Sequence, residues 1–215
     1  MMFMFLVTRI RLSMWLRRFL SLTSVLCIHH FAFADNLSGD KPAPYEQCEF
    51  CHEYDGNTFT GKYPKIAGMK KQYLLNQLLD YKLGRRNGDG KMQEAAALLS
   101  DEEMQTVAGY FSTQQRSPEP ALQAGIDYRH ARALATQGDP ARDLIACNVC
   151  HESSEPYIPS LKGQHAEYIA QQLFAYKNKT RSNDVASIMR FLAERLSDTE
   201  IRQLSQYLAS GGKFQ

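Results

Sequence analysis

Apolar and aromatic positions recur at three- and four-residue spacing in two separate stretches of the chain. Tyr73, Leu74, Gln77, Leu78 and Tyr81 follow it in the first, and Tyr168, Ile169, Gln172, Leu173 and Tyr176 in the second. That is the period of a helix with one buried face. Each stretch is followed by a Ser-x-x-Glu pair, Ser100 with Glu103 and Ser197 with Glu200. Such a pair predicts a capping box opening a further helix. Its apolar face holds Met104, Val107, Tyr110 and Phe111 in one case, and Ile201, Leu204, Tyr207 and Leu208 in the other. No period-two alternation appears, so the chain is expected to be all-α.

The two stretches are copies of one unit. Pro64, Gly68, Tyr73, Gln77, Tyr81 and Arg86 lie over Pro159, Gly163, Tyr168, Gln172, Tyr176 and Arg181 at a constant offset of 95. Further on the offset becomes 97, pairing Met92 with Met189, Leu99-Ser100-Asp101 with Leu196-Ser197-Asp198, and Tyr110 with Tyr207. The change of offset falls where a loop is expected. Two copies of about eighty residues indicate a tandem pair rather than a solenoid, which needs more repeats. Residues 112–123, polar and carrying Pro118 and Pro120, form the expected join.

The N-terminal segment has a different character. Arg9, Arg11, Arg17 and Arg18 precede and border an apolar run over residues 19–34 that closes on Ala32-Phe33-Ala34. A basic region, an apolar region and a small-x-small site together predict a secretory signal over residues 1–34. The alternative, an uncleaved membrane anchor, is disfavoured by the shortness of the run and by His29 and His30 within it. The expected organisation is therefore a signal at 1–34, one domain at 35–117 and a second at 118–215. Loss of the signal removes four arginines and no acid, which turns the whole-chain charge of +2 into −2. The two domains then carry about −2 and 0, without a basic stripe, so neither nucleic-acid binding nor strong charge steering is expected.

Candidate chemistry lies at the head of each copy. Cys48-Glu49-Phe50-Cys51-His52 and Cys147-Asn148-Val149-Cys150-His151 share the pattern Cys-x-x-Cys-His, the attachment pattern of c-type haem. Two thiols three residues apart fall on one side of a helical turn, where each can add to a porphyrin vinyl group. The adjacent imidazole can then reach the iron. A disulfide, a redox-active Cys-x-x-Cys and a zinc site with two ligand pairs are the competing readings. The trailing histidine disfavours the first two, and a separation of about a hundred residues between the pairs disfavours the third. Cys27 lies in the predicted signal, so the mature protein is expected to hold only haem-linked cysteines.

Each iron needs a second axial ligand or an open position. Met189 is the only methionine of the second copy, and the repeat places Met92 opposite it, eight residues before the capping serine in both. Met69 and Met104 have no methionine partner in the repeat. His130 and His165 are the rival ligands and are expected to be surface or linker residues.

These residues resemble the class I dihaem cytochromes of the cytochrome c4 type over the whole mature chain. The resemblance rests on the two haem motifs, the Pro…Gly-x-x-x-x-Tyr segments, the Asn- and Asp-containing approach to each methionine, and the Leu-Ser-Asp-x-Glu stretches. It implies two tandem class I cytochrome c domains, each a small helical fold around one covalent haem. It further implies Cys48, Cys51, Cys147 and Cys150 as haem anchors, with His52 and Met92 on one iron and His151 and Met189 on the other. Pro64 and Pro159 match the prolines whose carbonyls orient the iron-bound imidazole. Two features depart from the pattern. Glu53 and Glu152 stand where glycine commonly follows the haem histidine, and only a short segment with Pro42 and Pro44 precedes Cys48.

The function implied is a soluble periplasmic electron carrier without catalytic residues of its own. It would relay electrons from a quinol-oxidising complex or dehydrogenase to a terminal oxidase or reductase. Docking to its redox partners, including membrane-bound respiratory complexes, would be transient and through a small patch. The alternatives are a cytochrome subunit of a periplasmic dehydrogenase, such as a flavocytochrome sulfide dehydrogenase, and a dihaem peroxidase-type enzyme.

Overall fold

The computed structural model describes residues 43–212. The predicted signal at 1–34, with Cys27, lies outside the described residues, as do residues 35–42. The helices are α1 (Glu46–His52), α2 (Lys71–Lys82), α3 (Lys91–Ala97), α4 (Asp101–Thr113), α5 (Arg129–Thr136), α6 (Cys147–His151), α7 (Ala166–Lys177), α8 (Ile188–Glu194) and α9 (Asp198–Ser210). Among the described residues there is no sheet, and Asp139 and Leu144 form an isolated bridge.

The expected helices form for the expected reasons. Ser100 Oγ accepts from the Glu103 amide at 3.2 Å, and Glu103 Oε2 accepts from the Ser100 amide at 2.9 Å. Ser197 and Glu200 repeat the arrangement at 3.2 and 2.8 Å. Both boxes satisfy amides that the first turn of a helix leaves without partners. Beyond them α4 buries Met104, Val107, Ala108 and Phe111, and α9 buries Ile201, Leu204 and Leu208. Full burial of side chains this size contributes about 1.5–3 kcal/mol each.

Two cores result, one from each copy. In the first, α2 packs on α3 and α4, with Tyr73, Leu74 and Leu78 against Ala96, Leu99 and Phe111. In the second, α7 packs on α8 and α9, with Ile169, Leu173 and Tyr176 against Ala193, Leu196 and Leu204. Lys82 and Lys177 close the two copies alike, donating to the carbonyls of Leu99 at 2.6 Å and Leu196 at 2.8 Å. The second copy also has α5, which packs on α6 and α9 and buries Ala131, Leu134 and Ala135. In the first, Tyr45 stacks on Tyr110 with ring centroids 3.9 Å apart.

The repeated glycines hold the join. Gly68 and Gly163 have φ of 60° and 78°, and their amides donate to Phe111 and Ala209 at the ends of α4 and α9. A Cβ on Gly68 would lie 3.1 Å from the Gln114 carbonyl, and one on Gly163 3.1 Å from that of Ser117. The connecting segment therefore runs directly over both glycines, which accounts for the small residue in each copy.

Candidate functional site

The motif helices α1 and α6 are each little more than the motif itself. They place Cys48, Cys51 and His52, and Cys147, Cys150 and His151, on single short helical turns. All four cysteines are unbridged thiols. Burial pushes the thiols of Cys48 and Cys147 up to about 11, whereas a redox-active Cys-x-x-Cys needs a lowered value. The two pairs stay in separate copies, and among the described residues no three His, Cys, Asp or Glu side chains gather as a metal site. The covalent-haem pattern fits this donor set better than any of the three rivals.

Each histidine is oriented by a proline carbonyl. His52 Nδ1 lies 2.9 Å from the Pro64 oxygen, and His151 Nδ1 lies 2.8 Å from the Pro159 oxygen. A carbonyl only accepts, so Nδ1 carries the proton and Nε2 keeps its lone pair. Burial holds both rings below the ordinary histidine range, against the opposing effect of the proline carbonyl. At His151 the nearby Lys70 ammonium lowers it further. A neutral imidazole with a free Nε2 lone pair is the form that ligates a metal.

The methionines also occupy matching places. Met92 is the second residue of α3 and Met189 the second of α8, both partly buried against their respective cores. A left-handed residue precedes each helix, Gly90 at φ 88° and Ser187 at φ 60°. Met69 and Met104 are packed in the first core.

The two histidines expected at the surface or in a linker behave differently. His130 is largely exposed and pairs with Glu200 at 2.7 Å. His165 is instead buried, 9% exposed, with Nε2 2.8 Å from the Thr58 carbonyl of the other copy. It precedes α7 on the side facing the first copy, and that contact is invisible in a local pattern.

Between the copies lies a polar cluster built from repeat-related residues. Arg86 donates to Gln77, Tyr168 and Gln172 at 2.7, 2.8 and 3.0 Å. Arg181 donates to Gln172 and Gln77 at 2.8 and 3.1 Å and reaches Tyr73 at 3.5 Å. The guanidinium groups also cover Tyr81 and Tyr176 at 4.7 and 4.6 Å. Both arginines are buried, and the Arg86 Nε has no partner. Neither forms an ion pair with a carboxylate among the described residues. Such a surplus of buried positive charge suits an anionic cofactor. The sequence marked these residues only as equivalent; a glutamine in each otherwise apolar stripe was the available signal.

Residues from across the junction also fix both proline segments. Gln164 pairs with the Lys65 backbone, accepting at 2.9 Å and donating at 2.8 Å. Arg116 donates to Ala67 in the first copy at 2.8 Å and to Ser160 in the second at 2.9 Å. Burial pushes its guanidinium down to about 10.

No family model matches the chain. It is 35% identical over 170 residues to cytochrome c4 of Thiocapsa roseopersicina, covering 75% of this chain and 85% of that protein. It is 33% identical to a thiosulfate dehydrogenase electron acceptor of Thiomonas intermedia, covering 79% of this chain and 80% of that one. Its structure superposes on reduced recombinant cytochrome c4 from Pseudomonas stutzeri with a TM-score of 0.69 and 34% identity, over 80% of this chain and 98% of the other. With two Cys-x-x-Cys-His helices and relatives of this kind over most of its length, the chain belongs to the cytochrome c4 family of dihaem electron carriers.

Proposed function

We propose that the two copies, 35–117 and 118–215, are separate redox domains of an exported periplasmic carrier. Cys48 and Cys51 anchor one haem and Cys147 and Cys150 the other. His52 and Met92 would hold the first iron, and His151 and Met189 the second. The observation that carries this reading is the doubled arrangement of a proline-oriented, neutral histidine with a methionine at a fixed place in the following short helix. Bound haem supplies a one-electron couple, whose potential methionine ligation and burial raise.

The chain's own contribution is to hold that couple still. Pro64 and Pro159 fix the imidazole planes, and Gln164 and Arg116 fix the segments that carry the prolines. Arg86 and Arg181 supply buried positive charge suited to the haem carboxylates. With histidine and methionine as the ligand pair, the protein offers no open position for oxygen or peroxide. Its role is then to carry electrons rather than to catalyse.

Electrons would come from a quinol-oxidising complex or a dehydrogenase and leave to a terminal oxidase or reductase, in transient complexes. The relative named as a thiosulfate dehydrogenase electron acceptor supports a dehydrogenase as one class of donor. No described helix is long and apolar enough to cross a membrane. A potentiometric titration of the purified protein, followed optically, tests the reading. Two reversible one-electron steps are expected, and failure to reduce reversibly would overturn it.

A further inference from the structure

Each copy reaches into the loop that follows the other copy's Cys-x-x-Cys-His helix. The Lys70 ammonium donates to the carbonyls of Ser153 and Glu155, both at 2.7 Å. These residues lie just beyond His151 in the chain. In the opposite direction His165 Nε2 lies 2.8 Å from the carbonyl of Thr58, in the loop beyond His52. Lys70 and His165 are equivalent in the repeat, each immediately preceding a long helix, α2 or α7. Their backbones match, with φ and ψ of −58° and 129° at Lys70 and −53° and 126° at His165. One backbone position thus delivers a donor across the junction in both directions, through two different side chains.

We propose that Lys70 and His165 are a reciprocal pair of positioning residues, each fixing the loop beside the haem-ligating histidine of the opposite copy and placing positive charge there. The inference rests on the histidine–methionine reading given above. Its consequence is an asymmetry. A lysine ammonium keeps its charge through the neutral range, whereas an imidazole changes charge within it.

Both ring nitrogens of His165 face oxygen acceptors. Its Nε2 must donate, since the Thr58 carbonyl only accepts. Its Nδ1 lies 3.0 Å from Glu119 Oε1, and Lys65 meets the same oxygen at 2.6 Å. Glu53, Tyr54 and Asp55 line the same cleft. Of these side-chain types only imidazole ordinarily changes charge between about pH 6 and about pH 8.5. Positive charge beside a redox centre favours its reduced form, so deprotonation of His165 lowers the potential of the first site. Lys70 gives the second site no such dependence.

The test is an optically followed redox titration of the full-length, haem-loaded protein at about pH 6 and about pH 8.5. In the wild type one potential falls with rising pH and the other stays constant. Lys70→Met lowers only the constant one, and Lys70→Arg restores it, because guanidinium keeps both charge and donors. His165→Asn removes the pH dependence of the other. A tenfold loss of preference for the reduced form reads as about 59 mV for one electron. The inference is overturned if both potentials respond alike to each substitution, if neither responds, or if both or neither depend on pH in the wild type. The wild-type profile alone decides the matter for any variant that does not assemble. Loss of reversible reduction in the wild type would instead overturn the electron-carrier reading.

Discussion

Arg86 and Arg181, one from each copy, share the same two acceptors: the side-chain oxygens of Gln77 and Gln172 each accept from both. Both guanidinium groups are buried and both glutamines half-buried, so each amide oxygen compensates two cations at once. Removing one glutamine leaves both guanidiniums short of an acceptor. Gln172→Leu should therefore destabilise the protein by about 2–4 kcal/mol, more than an ordinary hydrogen bond, as read by denaturant unfolding. The double substitution with Gln77→Leu should cost less than the sum of the two, since the groups act as one network.

Glu53 and Glu152 both occupy a position where related proteins commonly carry glycine, yet only one is strained. Glu53 has φ 64° and ψ 159°, a region that suits glycine almost alone. Glu152 has φ −103° and ψ 0°, open to any residue. Glu53→Gly should raise thermal stability by about 1 kcal/mol through relief of that strain. Glu152→Gly should lower stability slightly, since there glycine only adds freedom to the unfolded chain. Parallel thermal melts of the two variants check this.

Glu200 makes the second copy sensitive to acid. Burial alone would raise its carboxyl. Hydrogen bonds from Arg142 at 2.8 Å, from His130 at 2.7 Å and from the Ser197 amide instead hold it well below the usual carboxylate range. A carboxylate depressed in the folded state stabilises the fold above its unfolded value, and that contribution is lost as pH falls through the folded one. Glu200→Gln should cost about 1–2 kcal/mol near neutral pH, from the weakened cap and lost ion pairs. The difference from wild type should shrink in strong acid, which unfolding curves at a series of pH values would show.

The helices, their caps and the doubling of the unit were legible in the sequence because each is a local pattern. Ser100 and Ser197 announce their helices within four residues, and the offset between copies needs only alignment. The same alignment paired Met92 with Met189 and Pro64 with Pro159, and the structure gives each pair equivalent surroundings. What stayed hidden depends on one copy packing against the other. The repeat shows that Lys70 and His165 are equivalent but not that both point across a junction. His165 was therefore expected at the surface or in a linker and is buried. The strain at Glu53 was equally hidden, because an identical residue at Glu152 carries none.

If histidine and methionine close both irons, the methionine–iron charge-transfer band of the oxidised protein reports it most directly. The band should be present in the wild type, reduced to about half in Met92→Ala and in Met189→Ala, and absent from the double variant. An undiminished band in the double variant, or its absence from the wild type, would contradict the assignment.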